Sequence, residues 1–257
     1  MEYTQRETAE LRRLVAASRR IVFFGGAGVS TESGIPDFRS TGGLYRQEWD
    51  YPPETILSRT FFRQNTAEFF RFYRAKMLAP AALPNAAHDA LARLEQDGAL
   101  SAVVTQNIDG LHQKAGSKNV FELHGSVHRN HCAECGTFYP LSAVAESTGI
   151  PRCAQQGCCG IIKPDVVLYE ESLNAATLDG ATKALADADL LIIGGTSLTV
   201  YPAAGLVRYF RGVNGIVVIN KSDTAENPSA ALVIRGSIGQ VFAAAFGKLD
   251  TDAGDTG

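Results

Sequence analysis

The sequence predicts an α/β protein, with a parallel sheet, helices between its strands, and a smaller module built from two insertions. Three observations predict it. Short apolar runs ending at glycine or polar residues recur along the chain, helical patterns lie between them, and two long stretches break the alternation.

Leu11, Leu14 and Val15 recur at helical spacing, so a first helix is expected over about Thr4 to Ser18. Ile21 to Phe24 then runs into Gly25-Gly26-Ala27-Gly28, as a buried parallel strand does on entering a phosphate-binding turn. Residues 102–105, 190–193 and 216–219 read the same way, and 232–234 more weakly. Helices are expected after Pro84, with Asn85 as N-cap and Gly98 as stop, over about Ala175 to Ala186, and from Pro202 to about Phe210. The aromatic-rich stretch 41–83 reads as a helical insertion. Residues 131–162 hold all five cysteines and form the second insertion. The division expected is therefore 1–40, 84–130 and 163–250 for the larger domain, with 251–257 a disordered tail.

The net charge of -3 gives no reason to expect nucleic-acid binding. No apolar stretch is long enough to span a membrane, and residues 1–20 are charged, so a cytoplasmic protein is expected.

The glycine turn at Gly26 and Gly28 lets backbone N–H groups approach a diphosphate, but Thr31 stands where a dinucleotide fingerprint has its third glycine. The string continues to Phe38 and Arg39, an aromatic that can cover a flat ring and a cation that can meet phosphate. Gly194-Gly195-Thr196-Ser197 supplies a second turn. Gln106-Asn107-Ile108-Asp109 follows a strand, and its polar groups suit a ribose and a carboxamide or merely a turn. His124-Gly125 offers a candidate general base, although spacing alone does not choose among the five histidines.

Cys132 and Cys135 form one tight pair, and 17 residues separate Cys135 from Cys153. With Cys158 they make a four-thiolate set suited to a structural zinc whose closed shell leaves no catalytic position. Cys159 competes with Cys158 for the fourth place.

Together these strings resemble the sirtuins, in the family's order, from about Arg20 to Gly239. Lys163-Pro164-Asp165-Val166-Val167 and Tyr201-Pro202-Ala203-Ala204 belong to the same series. The likeness is greatest to bacterial single-domain members. It implies a Rossmann-like parallel sheet with helices on both faces, plus a small domain made of a helical insertion and a zinc ribbon.

The resemblance also implies an activity: NAD-dependent removal of acetyl and other short uncharged acyl groups from protein lysines. The products would be nicotinamide, O-acyl-ADP-ribose and free lysine. It makes His124 the general base and gives Asn107 the ribose hydroxyls and a water. Asp109 and the Ile108 backbone would hold the carboxamide, while Phe38 would shield C1′ and Arg39 would order its loop. Ala27, Thr196 and Ser197 would meet the diphosphate, Asn220 the adenosine ribose, and Ile238 the adenine. Gly26, Gly28, Thr31, Gln106, Gly195 and Lys221 complete the cofactor-binding set. Val166 and Val167 would pair with the substrate backbone as an added strand.

Two departures stand out. Cys159 occupies a place where the family commonly has glycine, and the second cysteine pair is widened. Where the desuccinylating branch carries Tyr-x-x-Arg, this chain has Tyr73-Arg74-Ala75-Lys76, and lysine lacks the bidentate fork. Arg71 and Arg74 stand nearby at the wrong spacing. Two rival readings are NAD glycohydrolysis or ADP-ribosyl transfer on the same fold, and a non-catalytic module that senses NAD.

Overall fold

The computed structural model describes residues 3–38, 43 and 49–247. Its strands are β1 (Ile21–Gly25), β2 (Leu100–Thr105), β3 (Val120–Glu122), β4 (Gly125–Cys132), β5 (Phe138–Tyr139), β6 (Ile162–Val166), β7 (Leu190–Gly194), β8 (Ile216–Asn220) and β9 (Leu232–Arg235). The helices are α1 (Gln5–Ala16), α2 (Pro53–Ile56), α3 (Arg59–Gln64), α4 (Thr66–Phe72), α5 (Ala86–Gln96), α6 (Leu111–Ala115), α7 (Ser142–Ala145), α8 (Ala175–Asp187) and α9 (Ile238–Phe246).

Six strands form a parallel sheet in the order β3-β2-β1-β7-β8-β9. Both faces are covered, which is why these strands read as continuous apolar runs rather than alternating ones. Ile21 and Phe23 point into a core with Leu11 and Leu14 of α1, Leu91 of α5 and Phe242 of α9. Val22 and Phe24 point the other way, into a core with Leu185 of α8 and Leu206 and Val207. Each such buried side chain contributes roughly 1.5–3 kcal/mol.

The helix ends follow from local chemistry. Thr4 caps α1 in a reciprocal box with Glu7, and the Asn85 side chain accepts from the Ala87 N–H at the start of α5. The helix expected from Pro202 is instead a 3-10 helix over Ala203–Tyr209. Among the described residues no helix is long and apolar enough to cross a membrane.

A second sheet, antiparallel, has the order β5-β4-β6. It packs with α2, α3 and α4 around a separate core that includes Phe61, Phe62, Phe69, Phe70, Phe72 and Tyr73. The aromatic run is thus the core of the smaller module. β4 and β6 pair from Gly125↔Val166 to Cys132↔Ile162, so this sheet reaches past residues 131–162 at both ends. Two further elements were not anticipated. β3 is only three residues long, and α9 buries Ile238, Val241, Phe242 and Ala245 at helical spacing. The proposed tail at 251–257 lies outside the described residues.

Candidate functional site

The site begins where the strand order reverses. β1 lies between β2 and β7, and Gly25 pairs with Gly194 at the carboxyl edge. Open parallel sheets bind ligands outside such a switch point. The two glycine turns meet there, with the Gly28 N–H donating to Gly195 O at 2.8 Å. Gly195 has φ +59°, and a Cβ on Gly28 would sit 2.8 Å from the Gly195 Cα. Only glycine permits this approach.

Every expected cofactor stretch sits at a strand's carboxyl end: Gly26–Gly28 after β1, Gln106–Asp109 after β2, Gly195–Ser197 after β7, and Asn220-Lys221 where β8 ends. Each stretch contributes residues to one cavity of about 890 Å³, together with His124, Val166, Val167 and Ile238. Ala27, Gly28, Thr31, Phe38, Gln106, Asn107, Ile108, Asp109, Gly195, Thr196, Ser197, Asn220 and Lys221 line it. Gly26 supports the turn without lining the cavity, and Arg39 lies outside the described residues.

Hydrogen bonds order the polar wall. Gln106 Nε2 donates to Thr196 Oγ1 at 3.0 Å, tying the loop after β2 to the turn after β7. Asn220 Nδ2 donates to Thr196 O at 3.0 Å. Thr31 Oγ1 donates to Gly28 O at 3.0 Å. The sequence reading missed Ser30, whose fully buried hydroxyl accepts from Asn107 Nδ2 at 3.0 Å and donates to Asp109 Oδ2 at 2.6 Å. Ser30 lies within the glycine-rich string, but only folding brings it to the two residues it holds.

His124 follows β3 and is half-buried. Its Nδ1 lies 3.0 Å from Gln106 O. Burial lowers its pKa from the ordinary histidine range, partly offset by this backbone bond. The other histidines are occupied differently. His128 Nε2 meets Asp109 O at 3.0 Å, and His88 and His112 are buried side by side, ring centroids 4.7 Å apart.

Arg129 of β4 joins three strands. Its Nη1 donates to Glu122 of β3 at 2.6 Å and its Nε to Asp165 of β6 at 2.8 Å. One guanidinium thus ties β3, just before His124, to β6, just before Val166-Val167, and the Val167 N–H donates to His124 O at 2.9 Å.

At the far end of β4, Cys132, Cys135, Cys153 and Cys158 bring their sulfurs within 4.8 Å of one another. Cys132 Sγ to Cys158 Sγ and Cys135 Sγ to Cys153 Sγ are each 3.6 Å. A disulfide needs about 2.05 Å. A tetrahedron with zinc–sulfur bonds of about 2.3 Å places sulfurs about 3.8 Å apart. The four residues therefore fit a structural zinc. Cys159 is exposed and outside the cluster.

A sequence profile of the Sir2 family matches residues 26–202. The chain belongs to the Sir2 family, the sirtuins. An NAD-dependent protein deacetylase of Clostridium acetobutylicum is 60% identical over 236 residues, covering 91% of this chain and 95% of that one. A solved structure of Sir2 with a p53 peptide and NAD+ aligns at TM-score 0.78 and 38% identity, covering 91% of this chain and 94% of that one. A structure of a Sir2 point mutant with a deacetylated p53 peptide and 3′-O-acetyl-ADP-ribose aligns at 0.83 and 36% identity, covering 93% and 96%.

In this sirtuin Arg71 and Arg74 have partners away from the cavity. Arg71 pairs with Glu68 and Asp50 and lies 4.5 Å over the Trp49 ring. Arg74 donates to Ser147 Oγ and Gly149 O. Neither lines the cavity. Lys76 does, among Phe38, Leu57, Met77, Ile108 and Val166, whereas Tyr73 is fully buried with its ring stacked on Phe69.

Proposed function

We propose that the protein removes acetyl groups from protein lysines by an NAD-dependent reaction at this cavity. The observation that carries the reading is the His124 imidazole, fixed by Gln106 O at the wall of the cavity that all the cofactor stretches share. A carbonyl only accepts, so Nδ1 carries the hydrogen and Nε2 keeps a lone pair.

NAD would present a ribose whose C1′ is attacked by the acyl oxygen of the modified lysine as nicotinamide leaves. His124 Nε2 would take a proton from a ribose hydroxyl, whose oxygen would then attack the former acyl carbon, and the lowered pKa of His124 keeps it neutral at physiological pH. Asn107 and Asp109, held together by Ser30, orient the ribose and the carboxamide. Ala27, Thr196 and Ser197 meet the diphosphate, with Gly26, Gly28, Thr31, Gln106 and Gly195 shaping its approach. Asn220 meets the adenosine ribose and Ile238 the adenine, and Lys221 completes the cofactor-binding set. Phe38 keeps water from C1′, and Arg39 is the cation expected to contact the cofactor. Val166 and Val167 offer the peptide a strand edge. Cys132, Cys135, Cys153 and Cys158 hold zinc for stability rather than chemistry. A reduced four-thiolate site and an NAD-consuming reaction both suit the cytoplasm.

The substrate is an acylated lysine with a short uncharged chain: acetyl first, then propionyl and butyryl. The walls around Ile108 and Val166 are apolar, and Lys76 lacks the arginine fork that would grip a terminal carboxylate. The test is a panel of matched acyl peptides with saturating NAD, read by mass spectrometry. The reading expects kcat/KM for acetyl-lysine well above that for succinyl-lysine. A succinyl value equal to the acetyl value would contradict the selectivity. Nicotinamide release that ignores the peptide would favour glycohydrolysis instead.

A further inference from the structure

The segment leaving β6 contains a residue in a conformation that its type avoids. Glu170 has φ +71°, in the left-handed region that glycine adopts freely and other L residues do not. Such strain persists where the surroundings hold it, and here they do. One oxygen of the Glu170 carboxylate accepts from both the N–H and the hydroxyl of Thr60, at 3.0 and 2.7 Å. Those bonds keep the carboxyl pKa below its usual range.

The bonds on either side show what the conformation achieves. The Tyr169 N–H donates to Leu57 O at 2.9 Å, and the Arg59 N–H donates to Tyr169 O at 3.0 Å. Residues 169 and 170 are thus laced onto the start of α3 in the helical module. Three residues back, the Val167 N–H donates to His124 O. The segment Val167–Glu170 is therefore a strap between the proposed general base and the helical module, and it forms a wall of the cavity. The left-handed residue turns the chain off the strand and onto Thr60. No step of the proposed chemistry uses Glu170.

We propose that Glu170 is a positioning residue for the acyl-peptide substrate: its carboxylate, clamped on Thr60, fixes the strand edge on which the peptide docks. This rests on the deacetylase reading above. The clamp acts through backbone geometry, so it governs peptide binding and leaves the NAD pocket, on the sheet side of the cavity, undisturbed.

The experiment measures KM for acetyl-peptide, KM for NAD, and kcat in wild type, Glu170→Gly, Glu170→Gln and Thr60→Val. Glycine removes the strain and the clamp together, so the variant folds while the strap is released. Glutamine keeps an oxygen that accepts from Thr60 and removes only the charge. Losing one or two hydrogen bonds from the strap is expected to raise peptide KM about five- to tenfold in Glu170→Gly. Glu170→Gln is expected to restore the wild-type value, and Thr60→Val to move in the same direction as glycine. Both kcat and the KM for NAD should stay at wild-type values throughout. An unchanged peptide KM in Glu170→Gly would overturn the proposal. So would a glutamine variant as impaired as the glycine variant, which would make the charge rather than the clamp responsible. Equal losses in kcat and in NAD affinity would overturn it too, as general damage. A wild-type enzyme without deacetylation would instead sink the functional reading itself.

Discussion

His124 Nδ1 lies 3.0 Å from the backbone carbonyl oxygen of Gln106, and that contact decides which imidazole nitrogen can act as a base. The hydrogen sits on Nδ1, leaving Nε2 as the acceptor. The bond comes from main chain, so no side-chain substitution at Gln106 removes it.

Replacing His124 with alanine should lower kcat by roughly 10²–10⁴, the usual contribution of a positioned base. NAD binding, measured by calorimetry, should persist because the glycine turns are untouched. The wild-type pH profile follows from burial. The folded pKa lies below the ordinary 6.5, so the neutral form dominates at and above that pH, and kcat falls only as pH drops through the lowered value. A rate already declining between pH 8 and 7 would contradict this assignment.

Arg129→Ala should destabilise the fold and slow the reaction together. It leaves the Glu122 carboxylate, with a side chain only 7% exposed, without its cation. The Arg129 side chain is 43% exposed, so the loss is tempered by solvent, to about 1–2 kcal/mol. Arg129→Lys should recover only part, because an ammonium lacks the fork that reaches both Glu122 and Asp165. Full recovery with lysine would show that charge alone suffices.

One zinc per chain is expected by elemental analysis. Serine at Cys132, Cys135, Cys153 or Cys158 should lose the metal and lower Tm, since structural zinc contributes folding energy directly. Cys159→Ser should keep both. Metal loss in the Cys159 variant with retention in the Cys158 variant would exchange the two.

Much of this was legible in the sequence, for identifiable reasons. The strands are buried on both faces, so they appear as apolar runs, and four thiolates in a short stretch announce a metal. The edge strand β3 carries too few residues for any pattern. Ser30 gives no local sign of its role, which depends on Asn107 and Asp109, about 80 residues away. The strap at Glu170 is invisible for a similar reason. Nothing in Leu168-Tyr169-Glu170-Glu171 signals a left-handed residue, and its partner Thr60 belongs to the distant helical insertion. Arg129 also reads as an ordinary surface charge until three strands converge on it.

Acid should weaken the fold early. His88 and His112 are buried side by side, and burial lowers both pKa values. At His112, whose pKa falls furthest, His88 also opposes the charge, whereas the carboxylates of Asp109 and Asp89 partly offset the burial of His88. Below about pH 6.5 the unfolded chain takes up protons that the folded chain refuses, so stability falls as pH falls. Urea midpoints should be flat from pH 8 to 7 and decline between 6.5 and 5.5. A flat profile across that lower window would contradict the buried neutral pair.

The most direct test of the central claim is nicotinamide release by the purified protein with NAD, measured with and without an acetyl-lysine peptide. Release is expected only with the acetylated peptide, one nicotinamide for each lysine freed, together with O-acetyl-ADP-ribose. Equal release with an unacetylated peptide or none, or acetyl loss without NAD, would contradict it.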